Sequence, residues 1–469
     1  MSANVLKLAV DLLRALLPTP PLAIRVEGPD IDENELTLVS NGLRRVVGQV
    51  IQELGIEREI DVVIDRRVDD SEVVEVSADG RPIAIFPSPT TDWSAQVVAR
   101  THRGLLRRAR VLLDDATVEK AGKRLPGTIA DGSQGAVRRT VEYLMDNGIG
   151  TRTLEFESVW DGSPSPSEAA EWLINELATR KLNVFVAESA LRNTANDERT
   201  WLINLRQALY NECGIWLPDL AIAAHDPEPG EVRVKLNDLL SPFLVVNEQA
   251  TLPFILTVLR PILVEHAAWL LRADDVESQR AELGLVIPEL DRLSKGHVPT
   301  WLLCACLRSL MANSDSVRNL PRILWLLLES GPQSDGIDEV ILARPVVDSL
   351  PMQLSDSHDP EFLASTVRRL IAYEAWVGGE TPTAIPLVSL PIDCEQTLLR
   401  ASDASSTGKA ECRIVRTIFR NDPTAVVVAH TVAGIGPLRQ ALRALPEPPQ
   451  VIASQELPPD APLPRVLKG

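Results

Sequence analysis

Six histidines and five cysteines are all the imidazole and thiol groups that 469 residues offer, so their spacing decides what chemistry is open. His266 stands beside Trp269 and Leu270 in a helical stretch. A metal or catalytic pair on one helix face would place its second ligand at i+4, which is Leu270, so His266 reads as a packed or capping residue. Cys304 and Cys306 are two apart and diverge on a helix, which makes them small core residues. The pairs Asp69-Asp70, Asp114-Asp115 and Asp274-Asp275 fall at turns or helix ends. Solvated charge accounts for them, since general acid–base work needs a buried partner that raises a pKa. No Ser-His-Asp or Cys-His set can be assembled. Gly434-Ile435-Gly436 lies between an expected strand and helix, where a phosphate-binding turn would sit. It lacks a third glycine, carries Pro437 where an N–H would help, and has no basic residue before Arg439. The expectation is no enzyme, no metal and no cofactor. The alternatives are a nucleotide- or phosphate-binding sensor or enzyme using residues 434–437, or a plain assembly scaffold.

The elements that position these residues begin with 297–329. Trp301, Cys304, Ala305, Leu307, Leu310 and Met311 have helical spacing, with Arg308 and Ser309 left for the opposite face. A polar break at 313–316 precedes a second helix, which Pro321 starts and Asn319 caps, because proline is tolerated only in a first turn. Trp216, Trp269, Trp301 and Trp325 read as core first and binding surface second. A net charge of −18 argues against nucleic acid or an anionic membrane as partner. Five cysteines without CxxC spacing fit a reducing, cytoplasmic compartment. No apolar run approaches the roughly 20 residues of a membrane span. The N-terminal segment, with Lys7, Asp11 and Arg14 at amphipathic spacing, is expected to be neither signal peptide nor anchor.

Taken in order, 4–17 predicts a helix, 22–26 a strand, 36–54 a helix stopped by Gly55, and 60–64 a strand. Residues 73–76 and 82–86 predict a hairpin across Asp79-Gly80, followed by helices over 94–113 and 136–145. From Ser167 the order begins again: helix 168–177, strand 183–186, helix 201–213 stopped by Gly214, strand 220–222. Residues 52–56 match 211–215 and Leu112-Leu113 match Leu270-Leu271 in a register of about 158; Leu144-Met145, Asn147, Arg152 and Leu154 match Leu310-Met311, Asn313, Arg318 and Leu320 in one of about 166. The matches predict a tandem duplication whose first copy has lost its last helix. The polar linker 161–167 divides the copies, and a softer boundary lies at 330–336. The last part predicts helices over 361–375, 412–419 and 437–445 and strands over 384–390, 425–429 and 450–453. The expected fold is mixed α+β: tandem α/β-plus-helical modules at 1–160 and 167–335, then a C-terminal α/β subdomain at 336–469, without transmembrane segments.

Ser316-Val317-Arg318-Asn319-Leu320, with Ile323-Leu324 and Glu329, resembles a Ser-Ile-Arg-Asp-Leu…Ile-Leu-Glu segment in the cytoplasmic half of the FlhA/SctV export-gate proteins. These are the FHIPEP family of flagellar and type III secretion apparatus. Residues 205–222, with Gly214 and Pro218, resemble the family's Arg-rich helix, Glu-Leu-Gly stop and following strand. Residues 258–276, with His266-Ala267-Ala268 and Leu270-Leu271, resemble its His-Ala…Leu-Leu helix. Residues 359–369, with Arg368, then 390–395, 426–430, Leu438-Arg439 and 451–459, with Glu456, continue in the family's order, so the likeness covers about 167–469. It implies that Gly214, Pro218, Arg318, Asn319, Leu320, Arg368, Arg439 and Glu456 are structural motif residues. It also implies a non-enzymatic protein-interaction module in protein secretion or a derived process. Its partners would be secretion components, chaperones or substrates, with ring-like self-association as a homo-oligomer. The family's small inserted subdomain is replaced by about 30 residues, 223–253, so no chaperone-docking cleft is carried over.

Overall fold

The computed structural model describes residues 21–28, 32–66, 73–125, 134–154, 166–187, 198–224, 231–242, 244–245, 252–313, 315–330, 360–377, 386–401, 404–421, 425–457, 461 and 463–467. The expected helix 4–17, Asp69-Asp70 and most of the linker 161–167 lie outside these residues.

Strand β1 (Leu22–Gly28) alternates as its sequence dictates, with Leu22, Ile24 and Val26 buried. Asp32 accepts the Glu35 N–H to cap α1 (Glu33–Leu54), and Gly55, at φ 71°, ends it in the left-handed conformation. β2 (Ile60–Arg66) lies parallel to β1, while β3 (Val73–Ala78) and β4 (Arg81–Pro87) form the expected hairpin, giving the order β2-β1-β3-β4. Helices α2 (Trp93–Arg107), α3 (Asp115–Gly122) and α4 (Gln134–Asp146) follow. Next, α5 (Pro166–Leu177) sets Leu173 and Ile174 among Val141 and Leu144 of α4, so the helix expected to head the second copy packs on the first.

The second sheet repeats the first. β5 (Lys181–Val186), α6 (Glu198–Cys213) and β6 (Asp219–Ala224) form the parallel pair, and β7 (Glu231–Leu236) with β8 (Leu239–Leu240) gives the order β6-β5-β7-β8, with β9 (Leu244–Val245) also on β7. Leu22 pairs with Ile60 and Lys181 with Asp219, so the paired residues are spaced alike in the two copies. The stretch of about 30 residues that replaces the family's inserted subdomain, 223–253, therefore holds the hairpin that completes this sheet. Its Val-Arg-Val pattern alternates too briefly to stand out beside the flanking acidic residues.

Each copy then breaks its long helix at the same place. The single helix expected over 94–113 ends at Arg107, turns at Arg108 and resumes as a 3₁₀ turn at Ala109–Leu112. The one expected over 258–276 divides into α7 (Leu252–Glu265), α8 (Ala267–Leu270) and α9 (Ala273–Val286). It turns at His266, the counterpart of Arg108 in the register that aligns Leu112-Leu113 with Leu270-Leu271. α10 (Pro288–His297), α11 (Thr300–Ala312) and α12 (Leu320–Ser330) follow, and Asn319 accepts the Arg322 N–H at 3.3 Å as the expected cap. Arg308 and Ser309 are buried, contrary to the opposite-face expectation. α11 is enclosed by α5, α8, α9 and α13 (Pro360–Val377), so it has no solvent face. Leu363, Ala364 and Val367 of α13 belong to this large core and not to that of the C-terminal sheet.

The C-terminal unit is β10 (Leu387–Ser389), α14 (Ile392–Arg400), α15 (Ala404–Asn421), β11 (Val426–Ala429), α16 (Val432–Leu442), β12 (Val451–Ala453) and β13 (Arg465–Val466). All its strand pairs are parallel, in the order β12-β11-β10-β13. α15 lies on β4, which explains why the run Pro82–Phe86 is buried without alternation: Ile83 and Phe86 enter the large core and Ile85 the C-terminal one. Among the described residues no helix is long and apolar enough to cross a membrane.

This joint is closed by Glu411, which binds Arg81 and the fully buried Arg108, each at 2.9 Å. Burial opposes ionisation of Glu411, but the two guanidiniums prevail and hold its carboxyl at about 2. A folded pKa below the unfolded one gives stability that is present above pH 4.5 and lost as pH falls toward 2, on the order of 3 kcal/mol for this shift. Urea titrations of wild type and Glu411→Gln should therefore differ by about 3–5 kcal/mol at neutral pH and converge as pH falls from 4.5 toward 2. A pH-independent gap would refute the ion-pair account.

Candidate protein-interaction sites

The residues with reactive side chains are dispersed. His266 is buried, its ring 4.3 Å from that of Trp269, and burial pushes its pKa down to about 4. Cys304 and Cys306 are buried, and desolvation raises the Cys304 thiol. Among the described residues no group of three His, Cys, Asp or Glu is placed to hold a metal. Asp114 caps α3 by accepting the Thr117 N–H, Asp115 pairs with Arg138, and Asp274 bonds Arg272.

The turn on which the phosphate alternative rests does not form. Residues 434–437 are not a turn, because α16 starts at Val432 and Pro437 lies inside it, where the ring removes the bond an N–H would give to the Ala433 carbonyl. The anion position at this N-terminus is filled by the chain itself. Glu395 accepts the His430 N–H at 2.8 Å, the Thr431 N–H at 3.2 Å and the Thr431 hydroxyl at 3.0 Å. A Cβ at Gly434 would stand 2.1 Å from the Glu395 carboxylate, so that glycine makes room for a carboxylate of the protein.

The motif residues gather in two places. In the first, Gly214 ends α6 at φ 84°, and a Cβ there would lie 2.1 Å from the Arg318 nitrogen. The Val317 N–H donates to the Cys213 carbonyl at 2.9 Å, which seals sheet to helical part. The first copy uses the same contact: a Cβ at Gly55 would meet Thr151 and Arg152, and the Thr151 hydroxyl donates to the Leu54 carbonyl at 3.0 Å. The Arg318 guanidinium lies 6.0 Å from the Tyr210 ring centre, and Tyr210 stacks on Trp216 at 4.7 Å. Trp216 is 44% exposed, so its expected core role is corrected. It sits on the segment between the helix stop and β6, facing outward between buried Ile215 and Leu217. Half-buried Pro218 leads into β6, and buried Leu320 begins α12 beside capping Asn319. An exposed indole backed by a ring and a guanidinium is the composition of an interface anchor.

In the second place, Arg368 of α13 binds Glu456 at 3.2 Å and Asp315 at 3.7 Å. Burial raises both carboxyls, and Arg368 opposes it; Arg439, also buried, lowers Asp315. This cluster is internal. The buried pairs Arg108–Glu411 and Arg308–Glu171 escaped sequence reading because partners so distant along the chain carry no local pattern.

No protein-family model matches the chain, and no curated protein does. Solved structures do resemble it in fold. The CdsV protein of Chlamydia pneumoniae, in complex with CdsO, shares 16% identity over 61% of this chain and 97% of its own, with a TM-score of 0.44. MxiA of Shigella flexneri shares 13% over 62% and 98%, with a TM-score of 0.44. The nonameric EscV cytosolic domain from the type III secretion system shares 14% over 62% and 97%, with a TM-score of 0.43. These are cytoplasmic domains of the FHIPEP family, the family that the motif series resembles.

The packing of Gly214 makes a graded forecast. Gly214→Ala should cost more than about 2 kcal/mol in urea denaturation, strain and backbone clash together, whereas Gly80→Ala, whose added Cβ meets nothing within 4 Å, should cost about 1 kcal/mol. Equal costs would show that the Arg318 contact does not constrain the fold.

Proposed function

We propose that this chain is a non-catalytic, cytoplasmic protein-interaction module resembling the cytoplasmic half of the FHIPEP export-gate proteins, with a role in protein secretion or a process derived from it. One observation carries the reading: motif residues picked out by resemblance, and far apart in sequence, meet in pairs, Gly214 with Arg318 and Arg368 with Glu456. The reading divides the chain into modules at 1–160 and 167–335, with α13 packed on the second, and a C-terminal α/β unit. Its partners are proteins, namely secretion components, chaperones or export substrates, and Trp216 with Tyr210 and Arg318 is the surface offered to them. An aromatic anchor of this kind carries on the order of 2 kcal/mol or more of binding when truncated.

A photoreactive amino acid at position 216, used in the source cells, should capture proteins of an export apparatus or their chaperones. Trp216→Ala in the full chain should weaken their capture about tenfold or more while leaving the melting temperature nearly unchanged. Capture of metabolic enzymes alone would contradict the reading.

A further inference from the structure

The edge of a β-sheet presents a row of backbone N–H and C=O groups that pairs with an extended chain unless charges or cover prevent it. The first two sheets end in comparable edges: among the described residues β2 pairs only with β1, and β6 only with β5. The β2 edge is guarded. Asp61 and Asp65 stand exposed along it, Asp65 bonded to Arg25 at 3.0 Å. β6 carries no charge after Asp219, and residues 220–223 are all half-buried. With buried Leu22 and Leu182 aligned, Ala221 stands where β2 has Asp61.

Helix α6 turns an apolar face to this open edge. Ile203, Arg206 and Tyr210 recur at i, i+3 and i+7, one face of the helix, and Arg206 bonds Asp219 at 3.2 Å, which directs that face to the start of β6. Ile203 is 54% exposed, and Tyr210 stacks on exposed Trp216. The exposed Arg318 guanidinium adds positive charge beside Tyr210, whereas Asp219 and Glu212 are matched by Arg206 and Arg260. At the same spacings from the helix stops Gly55 and Gly214, the first module has Arg44 in place of Ile203 and Glu57 in place of Trp216. Positions 203, 216 and 221, which leave this groove apolar, are thus all charged in the first module.

We propose that β6 and α6 form a groove that takes up an extended peptide of a partner protein as an added strand. Backbone hydrogen bonds to β6 hold it, its alternate apolar side chains lie along Ile203, Tyr210 and Trp216, and an acidic residue meets Arg318. The inference rests on the reading of Trp216 as an interaction surface and adds to it the form of the partner.

Random short peptides displayed on phage and panned against the full chain supply the probe. Enriched peptides should alternate apolar residues and include an acidic one. Made synthetically, they should slow hydrogen–deuterium exchange of residues 220–224. N-methylation of their alternate amides should weaken binding about tenfold or more, because it deletes the strand's donors and keeps its side chains. Ile203→Arg with Ala221→Asp, which copies the charges of the first edge, should weaken binding likewise at an unchanged melting temperature; should that variant not fold, the N-methylated peptides on wild type decide. Panning that enriches no peptide, peptides that leave exchange in 220–224 unchanged, or peptides that bind as well when N-methylated overturn the groove. So does a rise of wild-type mass with concentration that Ala221→Asp removes, since the edge then pairs with a second copy. Peptides that protect 220–224 yet bind Trp216→Ala as tightly as wild type would support the edge and sink the Trp216 surface; loss of cellular capture in Trp216→Ala without such protection would do the reverse.

Discussion

The structure depends on arginines taken out of water. Removing a guanidinium from solvent costs several kcal/mol unless a carboxylate and further acceptors surround it. Here those partners come from another part of the chain. Arg108 is matched by Glu411 of α15, Arg107 by Glu265 of the second copy and the Leu445 and Pro446 carbonyls, Arg308 by Glu171 of α5, and Arg368 by Glu456. Separating any two units would strand a buried charge. Arg107 and Arg308 also bind carbonyls of neighbouring segments, Arg308 those of Ala268 and Leu271 where the helix breaks. The joints thus fix local backbone as well as relative placement.

Two sheets of one topology meet different neighbours at equivalent positions. Arg108 and His266 occupy the same turn, one in each copy. Arg108 reaches across to Glu411, while His266 stays beside Trp269, held neutral near pH 7 by burial. Arg107 and Glu265 are likewise counterparts, and they pair with each other. Opposite charges at these equivalent positions form a bond between the two modules.

What could be read in advance was local. Strand alternation at Leu22, Ile24 and Val26, the stops at Gly55 and Gly214, and the Asn319 cap each depend on neighbours a few residues away, and each was legible. The helix breaks at Arg108 and His266 were not, because they answer to groups far along the chain. The solvent face assigned to Arg308 failed for the same reason: helical spacing says which residues share a face but not how many faces are covered. For the candidate site, Gly214 and Arg318 were legible as motif residues. The stacking of Trp216 on Tyr210 was not, since a tryptophan next to a helix stop reads equally as core.

The central claim is that buried ion pairs lock the modules and the C-terminal unit into one cooperative body. Differential scanning calorimetry tests it most directly, by comparing the calorimetric with the van't Hoff enthalpy of unfolding. The account predicts a single transition in which the two agree. A C-terminal unit that melts separately, giving a calorimetric enthalpy well above the van't Hoff value, would contradict it.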